Sequence, residues 1–136
     1  MSVDYQIIKI KSNIAEGEGQ LLVFESQKDI PFEIKRIYYI VGVPAGVTRG
    51  YHAHKELKQL IFCPYGEIEI LLDNGKEKER ILLNSPEIGV VITSPLWREM
   101  HWIKEDSVLA VAASEYYTES DYIRDYSDFK SFMKGK

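Results

Sequence analysis

The stretch Glu67-Ile68-Glu69-Ile70-Leu71-Leu72-Asp73-Asn74-Gly75-Lys76-Glu77-Lys78-Glu79-Arg80-Ile81-Leu82-Leu83 reads as two β-strands and the turn that joins them. Asn-Gly tolerates the positive φ values of a tight turn, so Glu67–Leu72 and Lys78–Leu83 are expected to pair antiparallel. The same short rhythm of β-branched, aromatic or alternating apolar residues recurs outward at Gln6–Ile10, Leu21–Glu25, Arg36–Val41, Gln59–Cys63, Val90–Ile92 and Val108–Ala112. Turn residues punctuate it: Pro44 with Gly46, Pro64-Tyr65-Gly66 and Asn84-Ser85-Pro86. With no repeat and no alternation of strand and helix, the pattern predicts an all-β sandwich or barrel. Only the tail departs from it. Phe129, Phe132 and Met133 are spaced for a short amphipathic helix over Ser127–Met133, expected to cap the barrel.

At 136 residues the chain has the length of one domain, and residues 1–136 are read as such. Its 45% hydrophobic and 28% charged content is globular, and no run of about 18 apolar residues could span a bilayer. Residues 1–20 carry Lys9, Lys11, Glu16 and Glu18 in place of a signal-peptide pattern, which makes the cytoplasm the expected location. A net charge of −4 with scattered cations argues against nucleic acid and anionic membranes as partners. The single cysteine, Cys63, excludes an intramolecular disulfide and reads as a buried strand residue. A small molecule and a second copy of the chain remain as partners. Gln6–Ile10 and Leu21–Glu25 are apolar, pairable segments that could join a partner's sheet, so a homodimer with N-terminal strand exchange is expected.

The chemistry concentrates in Gly46-Val47-Thr48-Arg49-Gly50-Tyr51-His52-Ala53-His54, followed by Lys55-Glu56-Leu57-Lys58-Gln59 and then Gly66. On a strand, alternate side chains share a face, so His52 and His54 project together, whereas the same parity turns Arg49 to the opposite face. An alternating histidine pair is by itself also compatible with a metal site, a satisfied core or a surface.

The spacing of glycine, His-x-His and later glycine resembles the first cupin motif, which implies a cupin, or jelly-roll, β-barrel. Metal-binding cupins complete the histidine pair with a glutamate and a later histidine. Here Gln59 or Lys58 stands at the glutamate position and Met100 at the later histidine, so no metal is expected. A longer resemblance runs from about residue 5 to 133. Asp29-Ile30-Pro31-Phe32-Glu33-Ile34-Lys35-Arg36-Ile37-Tyr38-Tyr39-Ile40, Arg49 to Lys55, Trp97-Arg98-Glu99-Met100 and Ala113 to Arg124 resemble the bacterial sugar nucleotide 3,4-ketoisomerases, cupins acting on dTDP-4-keto-6-deoxy-D-glucose.

That resemblance implies an isomerase that moves a keto group from C4 to C3 by proton transfer through an enediol or enediolate. The product would feed 3-amino sugar synthesis. His52 and His54 take the family's histidine positions, with Tyr38 as a third catalytic residue, and Arg98 and Gln59 line the substrate site. Arg36 and Arg49 are candidates for the pyrophosphate, since guanidinium matches phosphate oxygens; either could equally form a structural ion pair. The reaction has no net redox change and the chain has no Gly-rich dinucleotide fingerprint, so no cofactor is expected. The family carries histidine or arginine at the position of Arg98, which makes Arg98 and the loop around Glu16–Glu18 the place to seek control of C4 stereochemistry. Two other readings compete: a cupin of the dTDP-sugar 3,5-epimerase type, and a non-catalytic sugar- or metal-sensing module.

Overall fold

The computed structural model describes residues 2–136; Met1, included in the single-domain expectation, lies outside them. Twelve strands are β1 (Gln6–Lys9), β2 (Lys11–Ala15), β3 (Gly19–Val23), β4 (Arg36–Ile40), β5 (Thr48–His54), β6 (Gln59–Tyr65), β7 (Ile68–Asp73), β8 (Lys78–Leu83), β9 (Ile88–Ile92), β10 (Trp97–Trp102), β11 (Val108–Ala113) and β12 (Tyr122–Ile123). A 3-10 turn, Glu119–Asp121, and a helix α1, Tyr126–Lys134, complete the chain. The strands form one sheet in the order β1-β9-β6-β11-β4, a second in the order β12-β5-β10-β7-β8, and a separate pair β2-β3. All pairings are antiparallel.

The expected hairpin is β7–β8, registered from Ile68 opposite Leu83 to Asp73 opposite Lys78. Side chains hold its turn: Asp73 Oδ1 accepts from the Gly75 amide at 2.7 Å, and Asn74 Oδ1 accepts from those of Lys76 and Glu77. Inward residues of the two sheets make one core. Ile61, Cys63, Val90, Ile92, Leu109 and Val111 meet Ile68, Ile70, Leu72, Leu83, Met100 and Trp102. Cys63 is buried, as expected.

Helix α1 spans the predicted residues, with Asp125 as N-cap accepting from the Asp128 amide at 3.0 Å. It lies on the outer face of the second sheet rather than over the barrel end. Phe129 packs there with Ala53, Trp97 and Ile123, residues that alternate along their strands with inward-facing His52, His54 and Arg98. Tyr126 fastens this contact by donating its hydroxyl to Asp73 Oδ2 at 2.7 Å.

Three features were not anticipated. Of the expected Gln6–Ile10 segment, Gln6–Lys9 pairs with β9 of its own chain, completing an edge of the first sheet. The second N-terminal segment belongs to a ribbon, β2–β3, whose residues are almost all exposed. Strand β5 also carries a bulge. Its register on β10 shifts between Arg98, opposite His52, and Glu99, opposite Gly50, which leaves Tyr51 unpaired. Gly50 and Tyr51 both adopt positive φ, 99° and 57°. For a tyrosine this is a strained conformation, costing on the order of 1–3 kcal/mol.

Candidate active site

The bulge corrects the expectation for Arg49. One extra residue inverts strand parity, so Arg49, opposite Met100, and His52, opposite Arg98, face the same side. A cavity of about 340 Å³ lies between the free edges of the two sheets, lined by Arg36, Tyr38 and Ile40 of β4, Arg49 and His52 of β5, Met100 and, from the tail, Tyr117, Tyr122 and Arg124. The glycine inside the strand pattern was the available signal, because strand glycines often mark bulges. No side chain fits at Gly50: a Cβ would meet the Arg98 carbonyl oxygen at 2.9 Å.

His52 and His54 share the inward face, with ring centroids 5.0 Å apart and planes near perpendicular. They open to different spaces, since His54 lines a second cavity of about 440 Å³. Arg36 and Tyr122 line both cavities. The Tyr122 ring stands 5.2 Å from His52 and 4.4 Å from His54, and the Arg124 guanidinium lies 4.1 Å over its face. Arg124 in turn makes two hydrogen bonds to Glu119, at 2.7 and 2.9 Å.

Arg98 and Gln59 line neither cavity. Both are buried, and they form a chain behind the wall. Arg98 donates Nε and Nη2 to the Leu96 carbonyl at 3.2 and 2.8 Å and Nη1 to Gln59 Oε1, and Gln59 Nε2 donates to the Tyr38 hydroxyl oxygen at 3.2 Å. The consequence falls on Tyr38. Its oxygen accepts from Gln59, which leaves its own proton free to be donated. Of the two positions suggested by spacing for the cupin glutamate, Gln59 is the inward one; Lys58 is exposed, and its amide donates to Ser114 Oγ at 2.8 Å.

Arg98 also bears on the charge state of the histidines. Burial first, and the Arg98 cation second, lower His52 to about 4 and His54 to about 2. Both imidazoles are therefore neutral at neutral pH. Burial lowers Arg98 itself to about 10, and raises Tyr38 above its ordinary value against the opposing pull of Arg98. Arg36 faces Tyr38 and Tyr117 at 5.3 and 5.7 Å, and its Nε is buried without a hydrogen-bond partner.

A divalent ion does not fit these donors. Gln59 Oε1 is engaged by a guanidinium, Met100 occupies the fourth ligand position, and a buried cation lies across the ladder from His52. Among the described residues no three histidine, cysteine or acidic side chains cluster to hold a metal.

The tail contributes what was missed from sequence. Asp121 Oδ2 lies 3.0 Å from His54 Nδ1, and Tyr117, Tyr122 and Arg124 line the His52 cavity, with Glu119 holding Arg124. The two-residue strand β12, set against His54 and Ala53, helps to bring them there. A two-residue strand has no periodicity to read.

Two facing antiparallel sheets with paired histidines on an inward strand make the molecule a cupin. The chain belongs to the FdtA family, described as WxcM-like, C-terminal, whose model matches residues 3–134. It is 40% identical over 131 residues, 96% of this chain and 94% of the relative, to the TDP-4-oxo-6-deoxy-α-D-glucose-3,4-oxoisomerase of Aneurinibacillus thermoaerophilus. It is 44% identical to the crystal structure of QdtA, a sugar 3,4-ketoisomerase from Thermoanaerobacterium thermosaccharolyticum in complex with TDP, with a TM-score of 0.94 over 99% of this chain and 98% of that one. A histidine-to-asparagine mutant of that enzyme in complex with TDP-4-keto-6-deoxyglucose matches at 43% identity and a TM-score of 0.94, over 100% and 98% of the two chains. These relatives are isomerases of one reaction class, as the longer resemblance implied.

Proposed function

We propose that this protein is a 3,4-ketoisomerase acting on dTDP-4-keto-6-deoxy-D-glucose, without a metal or redox cofactor. The observation that carries the reading is the neutral His52 imidazole on a cavity also lined by Tyr38, with His54 5.0 Å behind it and the Tyr38 oxygen accepting from Gln59 so that its own proton is free to donate. The ketoisomerase relatives support it at 40% and 44% identity over nearly the full chain.

The C3 hydrogen is acidified by the neighbouring C4 ketone. His52, lowered by burial and Arg98 to about 4, is unprotonated and accepts that proton. Negative charge then grows on the C4 oxygen, where the Tyr38 proton, backed by the Gln59–Arg98 chain, is a fixed donor. Return of a proton to C4, with the proton of the C3 hydroxyl passing to the C4 oxygen, makes C4 a carbinol as C3 becomes the ketone, so protons and electrons balance within the sugar. His54 orients the sugar or carries the second proton. Arg49 and the unpartnered Nε of Arg36 serve the pyrophosphate.

Incubation of the purified protein with dTDP-4-keto-6-deoxyglucose in deuterated water, followed by proton NMR, tests the reading. A 3-keto sugar with deuterium at C4 is expected. Label at C3 and C5 would indicate an epimerase instead, and an unchanged spectrum would remove the enzymatic reading. His52→Asn is expected to abolish solvent exchange at C3 while dTDP still binds.

Arg98 and the Glu16–Glu18 loop are our candidates for control of C4 stereochemistry, to be checked by the product ratio of Arg98→His combined with a loop exchange. A homodimer is also proposed. The outer face of edge strand β4 exposes Ile37 and Tyr39, continued by Val41 just beyond it, and the β2–β3 ribbon exposes Ile14 and Leu21, more apolar surface than a lone edge tolerates. Light scattering on the eluted protein would return twice the chain mass. Exchange of an N-terminal segment between copies, for which the exposed β2–β3 ribbon is the candidate because β1 pairs within its own chain, and work in the cytoplasm complete the reading. Among the described residues no helix is long and apolar enough to cross a membrane.

A further inference from the structure

Asp121 touches no part of the cavity that faces His52, yet its carboxylate gathers three donors. Oδ1 accepts from the Glu56 amide at 2.7 Å, while Oδ2 accepts from the Leu57 amide at 3.4 Å and lies 3.0 Å from His54 Nδ1. The two backbone bonds staple the turn after β5 to the 3-10 turn that carries Asp121. The third has a chemical consequence. A carboxylate only accepts, so the proton of the neutral His54 ring resides on Nδ1 and the lone pair on Nε2.

That Nε2 is buried and without a protein partner, in a residue only 2% exposed. An unpaired acceptor so deep costs on the order of 1–3 kcal/mol, which the fold has retained. The residue after Asp121 completes the arrangement: Tyr122 lies directly across the ladder from His54, with its ring 4.4 Å away. The Asp121-Tyr122 dipeptide thus grips the imidazole from two sides.

We infer that Asp121 is a positioning residue, holding His54 as the Nδ1–H tautomer so that its bare Nε2 is the second proton acceptor beside His52. The role in turnover rests on the ketoisomerase reading, whereas the tautomer does not. A merely structural Asp121 would staple the two turns and leave the ring indifferent.

The test begins with wild-type protein without substrate, labelled with nitrogen-15 at histidine, in long-range proton–nitrogen NMR at neutral pH. A pyrrole-type Nδ1 and an unprotonated Nε2 are expected for His54; the opposite tautomer, or an imidazolium, overturns the inference. Asp121→Asn, whose amide can donate as well as accept, is then expected to mix the tautomers and lower kcat by about 10²-fold, the scale of general acid–base catalysis, with KM little changed. Ser114→Ala removes the neighbouring staple on the Lys58 amide and is expected to lower Tm without moving the tautomer. Asp121→Asn protein that stays folded with kcat and tautomer unchanged also overturns it. Should that variant not fold, the wild-type spectrum decides. A wild type with the expected tautomer but no turnover removes the ketoisomerase reading and leaves the ring assignment standing.

Discussion

Arg98 lies directly across the β5–β10 ladder from His52, as a buried guanidinium whose polar contacts are the Leu96 carbonyl and the Gln59 amide oxygen. Burial first, and this cation second, make protonation of either histidine expensive. The folded pKa of His52, about 4, and that of His54, about 2, both lie below the ordinary 6.5. Between the folded and unfolded values the unfolded chain binds more protons, so stability is full above pH 6.5 and declines as pH falls toward 4 and below. The slope is up to about 1.4 kcal/mol per pH unit for each group. Urea titrations between pH 5 and 7 should show this decline, and His52→Asn should reduce it. The kcat/KM profile should lack an ionisation near 6.5 and stay level down to about pH 5.

Gln59→Glu should reverse this arrangement. A carboxylate beside Arg98 pairs with it, weakening its effect on both imidazoles, and can no longer donate to Tyr38. Turnover is expected to fall about 10²-fold, the cost of disturbing an oxyanion donor. The His52 pKa, read by NMR titration, should rise. Met100 still stands at the fourth cupin ligand position and Arg98 engages the new carboxylate, so dialysis against zinc followed by metal analysis should find no stoichiometric metal in the variant or in the wild type.

Gly50→Val should remove the bulge. Its φ of 99° is open only to glycine, and the Arg98 carbonyl oxygen lies 2.9 Å from where a Cβ would stand. A loss of stability of about 1–3 kcal/mol is expected in urea titration, with dTDP affinity falling as Arg49 leaves the cavity.

Phe129→Ala should separate helix from barrel. Phe129 is fully buried under Trp97 and Ile123, outside the catalytic face. A loss of about 3–5 kcal/mol is expected. Because Ala53 and Ile123 back onto His54 and Tyr122, part of the turnover should go with it.

What was legible in sequence was whatever a local pattern could carry. Asn74-Gly75 specifies its hairpin through its own backbone, and Phe129, Phe132 and Met133 announce a helix by spacing, though not which surface it covers. The histidine pair was readable because two residues on one strand need only parity. Arg49 was misjudged by the same rule, since the bulge at Gly50 and Tyr51 resets the alternation between it and His52. Asp121 lies 67 positions from the imidazole it contacts, and nothing local marks an aspartate that meets a distant ring. Arg98 was legible as a site residue, but its withdrawal behind Gln59 depends on packing that only the assembled sheets define.

The ribbon β2–β3 has a practical consequence for anyone handling the protein. A two-stranded ribbon is marginal in water on its own, and this one turns nearly every side chain to solvent. Its turn at Glu16, Gly17 and Glu18 is therefore the natural entry for a protease in dilute solution. If the ribbon is what copies of the chain exchange, nicking there should slow as concentration rises, and the rate of cleavage becomes a gauge of assembly that needs neither substrate nor label.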